Sequence, residues 1–369
     1  TRLEPQRGLR SAARDRVAGS DVRTVRETET MGERRGPRDR GHRLGRTARA
    51  ARTTAGQIIA AAESRRPQRL VERLWGELSE AIGEARQLVG GHSWRMSEEE
   101  LERRYTHLVG NKNLGEAGVD PFGFSPHYVR KVIPVLEFMH RVWFRVETHD
   151  IENVPEQGRC LIIGNHSGQL PFDGAMVGAS LLLERDPPRM IRSMVEKFAI
   201  RTPWFGTFCM RCGQVTGLPD NCRRLLEREE AVMVFPEGAR GISKPFRDRY
   251  KLAAFGHGFM RLALETGSPI IPVGVVGAEE QIINVGDFTA LARLLNTPSI
   301  PLPPLALVLG PLAMVPAPVK YRIYFGEPLH FTGDPNDDDA VIAKKVAVVT
   351  AAIEALVSRG LAERKGIFI

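Results

Sequence analysis

Along most of its length the chain alternates short, continuous apolar runs with stretches whose apolar residues recur every three or four positions. From Leu70, the residues Val71, Leu74, Trp75, Leu78, Ile82 and Ala85 share such a stripe, which predicts an amphipathic helix packed along that face. Ser97 followed by Glu100 reads as a capping box opening a second helix through Leu101, Tyr105 and Leu108. Asn111 to Pro126 is rich in Gly, Asn, Asp and Pro and is expected to be loop. Tyr128 to Phe144 is apolar on nearly all sides, with Pro134 near its start and Arg130, Lys131, Arg141 and Arg145 within or beside it. It is too short for a bilayer span, which takes about 20 apolar residues. Two readings stand for it: a buried helix covering a sheet, or a helix in a membrane interface with its basic residues at the headgroups.

After Asp150 the rhythm becomes strand, helix, strand. Strands are expected at Cys160–Gly164, Met190–Val195, Gln214–Thr216, Ala231–Phe235, Ile270–Val276 and Tyr321–Phe325. Helices are expected at Gly174–Leu183, Asn221–Glu229 and Phe255–Glu265, with Phe198–Arg211 helical or loop. A closing helix from about Asp337 to Ser358 begins on three aspartates that suit its positive N-terminal end. This alternation predicts an α/β fold, a mostly parallel or mixed sheet flanked by helices, with a helical N-terminal subdomain. The expected organisation is a disordered tail over 1–69, a helical region over 70–149 with a possible membrane-surface contact, and an α/β domain over 150–369. Pro301 to Pro318 breaks the rhythm: six prolines among Leu, Val, Ala and Met exclude a regular helix, and no charge appears before Lys320. Such an apolar loop either packs on the body or dips into lipid, and lipid contact is the expectation.

Charge changes the picture only at one end. The formal charge of +8 is carried by residues 1–69, where 18 arginines and no lysine face 8 acidic residues. The remainder holds 34 basic and 36 acidic residues and is close to neutral. The tail has few large apolar residues and no periodicity, so it is read as a disordered, solvated extension or an over-long start, Met31 being the first methionine. It has no apolar core of a secretory signal. Binding of nucleic acid through its arginines is not expected to be specific. At 42% hydrophobic residues, the chain has apolar content enough for a core without disulfides or metals. Cys209 and Cys212 form a C-x-x-C, but no second pair follows at zinc-site spacing, and Cys160 lies inside an apolar run. The four cysteines read as reduced thiols of a cytosolic protein, and no metal or cofactor is expected.

Two segments carry chemistry, and each follows a strand. After Cys160–Gly164 comes Asn165-His166-Ser167-Gly168-Gln169-Leu170-Pro171-Phe172-Asp173; after Ala231–Phe235 comes Pro236-Glu237-Gly238-Ala239-Arg240. Strand ends in an open α/β sheet share a crevice at the carboxyl edge. An imidazole can take a proton from an alcohol near neutral pH, which makes His166 a candidate base, and a carboxylate on its other nitrogen, that of Asp173, would fix its tautomer. Asp173 as a helix cap and His166 as an ordinary loop histidine are the bland alternatives. Serine sits one place late for a G-x-S-x-G elbow, so a serine hydrolase is excluded. Glu237 lies beside the planar fork of Arg240, which suits phosphate or carboxylate, and Gly238 permits close approach or positive φ.

Together the two segments resemble the signature of the glycerolipid acyltransferase superfamily: a histidine followed shortly by an aspartate, then F-P-E-G-x-R. Pro269-Ile270-Ile271-Pro272-Val273 is similar to the family's third apolar block. The resemblance covers roughly residues 150–330. It implies a glycerol-3-phosphate acyltransferase-like fold, His166 as base with Asp173 as its partner, and Ser167, Gly168, Glu237, Gly238 and Arg240 in substrate binding. It also implies an acyl-CoA or acyl carrier protein thioester as co-substrate and peripheral attachment to the cytosolic membrane face. Two departures stand out. Six residues rather than four separate His166 from Asp173, so the connection must bulge. No arginine ends the strand at 213–217, although Arg211 lies just upstream. Both departures are similar to the monoacylglycerol-acyltransferase-like branch, whose acceptors can be uncharged. The expected function is acyl transfer to a lysophospholipid or other glycerolipid hydroxyl; the alternatives are a neutral-lipid acyltransferase and a non-catalytic lipid-binding module.

Overall fold

Seven strands form one mixed sheet in the order β1-β7-β6-β2-β5-β3-β4. The structure is a computed structural model and describes residues 69, 72–91, 94–110, 114–168, 170–242, 244–283 and 315–369. The strands are β1 Glu147–His149, β2 Cys160–Gly164, β3 Ile191–Val195, β4 Val215–Thr216, β5 Ala231–Val234, β6 Ile270–Val276 and β7 Arg322–Phe325. β2 to β6 all run one way, while β7 is antiparallel to β6 and β1 is parallel to β7. The carboxyl ends of β2 and β5, next to each other in the sheet, therefore open on one edge. The sheet also takes in β1, which lies before residue 150.

Central strands are apolar without a break because both of their faces are covered. Along β2, Cys160 and Ile162 enter one core with Ile133, Met176, Leu181 and Phe325, while Leu161 and Ile163 enter a second with Leu225, Phe259, Ile342 and Ile353. On the first face lie α2 (Glu98–Gly110), α3 (Pro126–Phe138) and α4 (Phe172–Leu183). On the second lie α7 (Pro219–Glu227), α9 (Gly258–Thr266) and α10 (Asp339–Glu363). Short α5 (Lys197–Arg201) and α6 (Phe205–Arg211) join β3 to β4, and α8 (Ala239–Ile242) follows β5.

The run from Tyr128 is a helix that covers the sheet with one face and exposes the other, where Val135 is 62% exposed. Ser125 caps it, Pro126 starts it, and Val129 and Ile133 are buried against α4 and the sheet. It ends in a π-helical turn, Met139–Trp143, which turns His140 and Val142 inward. Helix α1, residues 72–91, corrects the expected stripe. Trp75 is 69% exposed and Ile82 41%, whereas Glu77 and Ala81 are buried. Its inward face runs through Leu74, Glu77, Leu78, Ala81, Ala85 and Leu88. The cause is the Glu77 carboxylate, which accepts the Ile367 N–H at 2.9 Å and holds the C-terminal segment. Half of the capping box forms: the Ser97 hydroxyl accepts the Glu100 N–H at 3.2 Å, but the Glu100 carboxylate turns to Arg103 and Arg104. The tail over 1–68 and the proline-rich loop over 301–314 lie outside the described residues.

Candidate active site

Asn165 ends β2 by substituting its side chain for backbone. Its amide donates to the Val275 carbonyl at 3.0 Å and accepts the Val275 N–H at 2.8 Å, so the ladder to β6 continues while the main chain turns away. His166 is thereby presented at the sheet edge. Its Nδ1 lies 2.7 Å from Asp173 Oδ2, on the first turn of α4. Asp173 is fully buried and takes two further bonds, from Ser167 N–H at 2.9 Å and Gly174 N–H at 2.7 Å. Three donors, one of them the His166 ring nitrogen, thus hold this buried carboxylate in one orientation. The Phe235 ring stacks on the imidazole at 4.4 Å and 11°, which fixes the imidazole plane. The imidazole remains 16% exposed, and Nε2 bonds to none of the described residues.

The long spacing is absorbed by a bulge that the chain enters at Ser167 and Gly168 and leaves at Leu170 and Pro171. Gly168 takes φ +79, and a Cβ there would overlap the Gln281 amide and stand 2.8 Å from the Ala278 carbonyl oxygen. Gln281 in turn donates to the Leu170 carbonyl at 3.2 Å and accepts the Tyr321 hydroxyl at 2.8 Å. Burial, then the nearby Asp173 carboxylate, push the Tyr321 phenol up, so it stays a donor. Glycine, glutamine and tyrosine thus shape the loop that lets His166 meet Asp173.

Glu237 reaches the same place from β5 but spends its carboxylate on backbone. Oε1 accepts the His166 N–H at 2.8 Å and Oε2 accepts the Ala253 N–H at 2.7 Å. Buried to 1% exposure, it clamps the His166 turn to the 250s loop. Gly238 takes φ +58 and its N–H closes a turn onto Phe235 O. Three residues on, a Cβ at Gly241 would come within 2.6 Å of His166 Cβ, so α8 packs against the histidine as glycine alone permits. Arg240 is exposed, and its Nη2 donates to the Ala254 carbonyl at 2.8 Å. The Ser167 hydroxyl is buried and unpartnered. Of the expected site residues, His166, Ser167, Gly168, Asp173 and Glu237 therefore converge, with Gly238 in the turn beside them and Arg240 at its outer side.

Behind the pair lies a polar network that the sequence reading missed. Lys244 stands 2.9 Å from Glu279 and 3.4 Å from Glu237. Burial raises the Glu279 carboxyl against the opposing pull of Lys244. Tyr250 donates to Glu280 at 2.7 Å, and Arg364 pairs with the same carboxylate. One signal was available: Glu279 and Glu280 follow the apolar run Ile270–Val276, the third such run with polar residues at its end. Burial pushes the Cys209 thiol up to about 11 and that of Cys212 to about 12. No group of three or more His, Cys, Asp or Glu placed to hold a metal occurs among the described residues.

A base–carboxylate pair at the carboxyl edge of a wound α/β sheet is the arrangement of a group-transfer or hydrolytic enzyme. Comparison with known proteins narrows this. A family model described as Acyltransferase matches residues 145–276, which span both segments. An uncharacterized protein of Mycobacterium tuberculosis (strain ATCC 25618 / H37Rv) is 38% identical over 259 residues, covering 69% of this chain and 72% of its own. One from Mycobacterium leprae (strain TN) is 39% identical over 259 residues, 69% of this chain and 71% of its own. The DGAT1/2-independent enzyme synthesizing storage lipids of Gallus gallus is 27% identical over 222 residues, 59% of this chain and 61% of its own. Among solved structures, that of the 1-acyl-sn-glycerophosphate (LPA) acyltransferase PlsC from Thermotoga maritima aligns with a TM-score of 0.41 and 16% identity, over 65% of this chain and 83% of that one. The chain belongs to the glycerolipid acyltransferase superfamily. No helix among the described residues is long and apolar enough to cross a membrane.

Proposed function

We propose that this acyltransferase moves a fatty acyl group from a thioester, acyl-CoA or acyl carrier protein, to a hydroxyl of a lysophospholipid or related glycerolipid. The observation that carries this is the 2.7 Å contact of His166 Nδ1 with the buried Asp173, which leaves Nε2 uncommitted at the sheet edge. In the proposed step Nε2 takes the hydroxyl proton as the oxygen attacks the thioester carbonyl. The C–O bond forms, the C–S bond breaks, and the departing thiolate takes the proton from the imidazolium. Such base assistance contributes roughly 10²–10⁴-fold. For the oxyanion, the Gly168 N–H is the fitting donor. His166 N–H is held by Glu237, Ser167 N–H by Asp173 and Gly238 N–H by Phe235, whereas Gly168 N–H donates to none of the described residues. The reading includes attachment to the cytosolic membrane face, where the acceptor resides.

An uncharged acceptor, a mono- or diacylglycerol or fatty alcohol, is the second reading, and the cations near the site favour it. β4 ends at Thr216 without arginine, Lys244 lies between two carboxylates, and Arg240 is turned to the Ala254 carbonyl. The resemblance to an enzyme named for storage lipids agrees with it. The test is purified protein with labelled acyl-CoA or acyl carrier protein and a panel of lysophospholipids, monoacylglycerol, diacylglycerol and fatty alcohol. Labelled ester is expected from the native protein and none from His166→Ala; equal turnover by the two would overturn the assignment. Arg240→Ala raises KM for phosphate-bearing acceptors alone if the acceptor is charged, and equal effects across the panel favour the neutral reading.

A further inference from the structure

The connection from β3 to β4 leaves the sheet at the edge where His166 stands, because β2, β3, β4 and β5 are parallel. It folds as a hairpin of α5 and α6. At its apex Trp204 is 90% exposed and holds φ +64, a conformation that non-glycine residues rarely adopt. Phe205 and Phe208 are 39% and 38% exposed on the same hairpin, and Leu218, 40% exposed, follows β4 at that edge. The underside is the opposite in character. Ala199, Gly206 and Cys209 are buried, and a Cβ on Gly206 would overlap the Ile200 carbonyl, so the two helices close tightly and hold the apex rigid.

Charge on the hairpin is one-sided. Residues 197–211 contain Lys197, Arg201 and Arg211 and no acidic residue. Lys197 and Arg201 are exposed, and neither is among the residues paired with a described carboxylate. At the root, Glu196 lies against the turn after β5, within 3.8 Å of where a Gly238 Cβ would stand. Outward aromatics rimmed by unpaired cations suit a partner with an apolar interior and an anionic skin. We propose that the α5–α6 hairpin docks the protein on an anionic lipid bilayer, seating Trp204, Phe205 and Phe208 among the acyl chains with Lys197 and Arg201 at the headgroups. Docked in this way, the sheet edge carrying His166 faces the membrane that supplies a lipid acceptor. The inference deepens the proposed function, but its readout is binding and not turnover.

The test uses the full chain and extruded vesicles of phosphatidylcholine, alone or with phosphatidylglycerol, in a co-sedimentation assay. The W204S/F205S variant is expected to lower the partition constant at least roughly tenfold. The K197Q/R201Q variant is expected to lose about fivefold per cation on the phosphatidylglycerol vesicles, and little on phosphatidylcholine alone. Lipids brominated on the acyl chains are expected to quench tryptophan emission in the native protein and much less in Trp204→Phe, whose apolar body still inserts. Because these side chains are exposed, circular dichroism and melting stay unchanged. Undiminished binding by both double variants, or undiminished quenching in Trp204→Phe, overturns the proposal. So does an effect confined to self-association in sedimentation velocity, which would make the face a contact between copies. Hairpin-dependent binding without any acyl transfer would defeat the enzymatic reading and leave the docking surface standing.

Discussion

Replacing Asp173 by asparagine removes one charge without changing shape, and the hydrogen bonds around it make the consequence calculable. The native carboxylate is an acceptor only, and it faces three donors: His166 Nδ1 at 2.7 Å, Ser167 N at 2.9 Å and Gly174 N at 2.7 Å. Asparagine has one oxygen and one NH2. With the oxygen toward His166 and Ser167, the NH2 opposes the Gly174 N–H. With the oxygen toward Gly174, the NH2 opposes the Ser167 N–H and forces Nδ1 to be the acceptor, which puts the imidazole proton on Nε2. The first arrangement keeps the tautomer at the cost of a buried donor against a donor, about 1–3 kcal/mol. The second abolishes the base. In both, the negative charge that stabilises the imidazolium is gone.

The expected result is a fall in kcat of roughly 10³–10⁴, the scale seen when the orienting carboxylate of a catalytic triad is made an amide, with KM nearly unchanged. The melting temperature drops modestly, reflecting the donor clash. Turnover is measured by transfer of labelled acyl groups, under single-turnover conditions so that product release does not mask the chemical step. Thermal unfolding of the same preparation shows what fraction is folded. A fully folded Asp173→Asn protein with kcat within threefold of native would refute the reasoning, since a buried carboxylate 2.7 Å from the base would then have no role in the reaction.

Three further outcomes follow from the geometry. Gly168→Ala forces a side chain into left-handed backbone and against Gln281, so about 1–3 kcal/mol of stability is expected to be lost in denaturant unfolding, with turnover falling as the bulge shifts. Glu237→Gln can satisfy only one of the His166 and Ala253 amides, so a loss of about 1–3 kcal/mol together with a reduced kcat is expected, and unchanged melting would contradict the clamp. Burial lowers His140 from its ordinary 6.5 to about 3, so it stays neutral in the fold and forms no ion pair with Glu184 at 3.8 Å; stability is present above pH 6.5 and is lost as pH falls toward 3, because only the unfolded chain takes up the proton. At pH 5 that is about 2 kcal/mol, and His140→Gln is expected to remove this acid-dependent loss in urea titrations at pH 7 and 5.

What could be read in advance was whatever a run of residues decides locally. β6 lies where its apolar run placed it, Ile270–Val276, because a strand buried on both faces needs an unbroken apolar sequence. α1 was read wrongly for the converse reason. An inward glutamate, Glu77, is set by the distant amides of Ile367 and Phe368, and no local count of apolar positions reveals it. β1 is three half-buried residues whose pairing with β7 is set by a partner far along the chain. The Lys244, Glu279 and Tyr250 network is likewise a product of tertiary approach.

The dyad shows where local and distant information meet. From the spacing alone, six intervening residues require a bulged connection if His166 is to meet Asp173. What shapes that bulge is supplied by residues far apart along the chain. Gly168 is legible as a residue able to take positive φ, but the wall it turns against is Ala278 and Gln281, after β6, and Gln281 is itself held by Tyr321, just before β7. The same holds for Phe235, whose apolar position ends the β5 run yet whose ring fixes the imidazole plane across the sheet. Motif residues therefore identify the chemistry, while residues outside both motifs set the distance at which it can operate. A chain keeping His166, Asp173 and Glu237 but lacking room at Gly168 or the Gln281 amide would preserve the signature and lose the geometry. For that reason Gly168→Ala tests the loop while leaving both side chains of the pair in place: it moves the path between them, and with it the N–H assigned to the oxyanion.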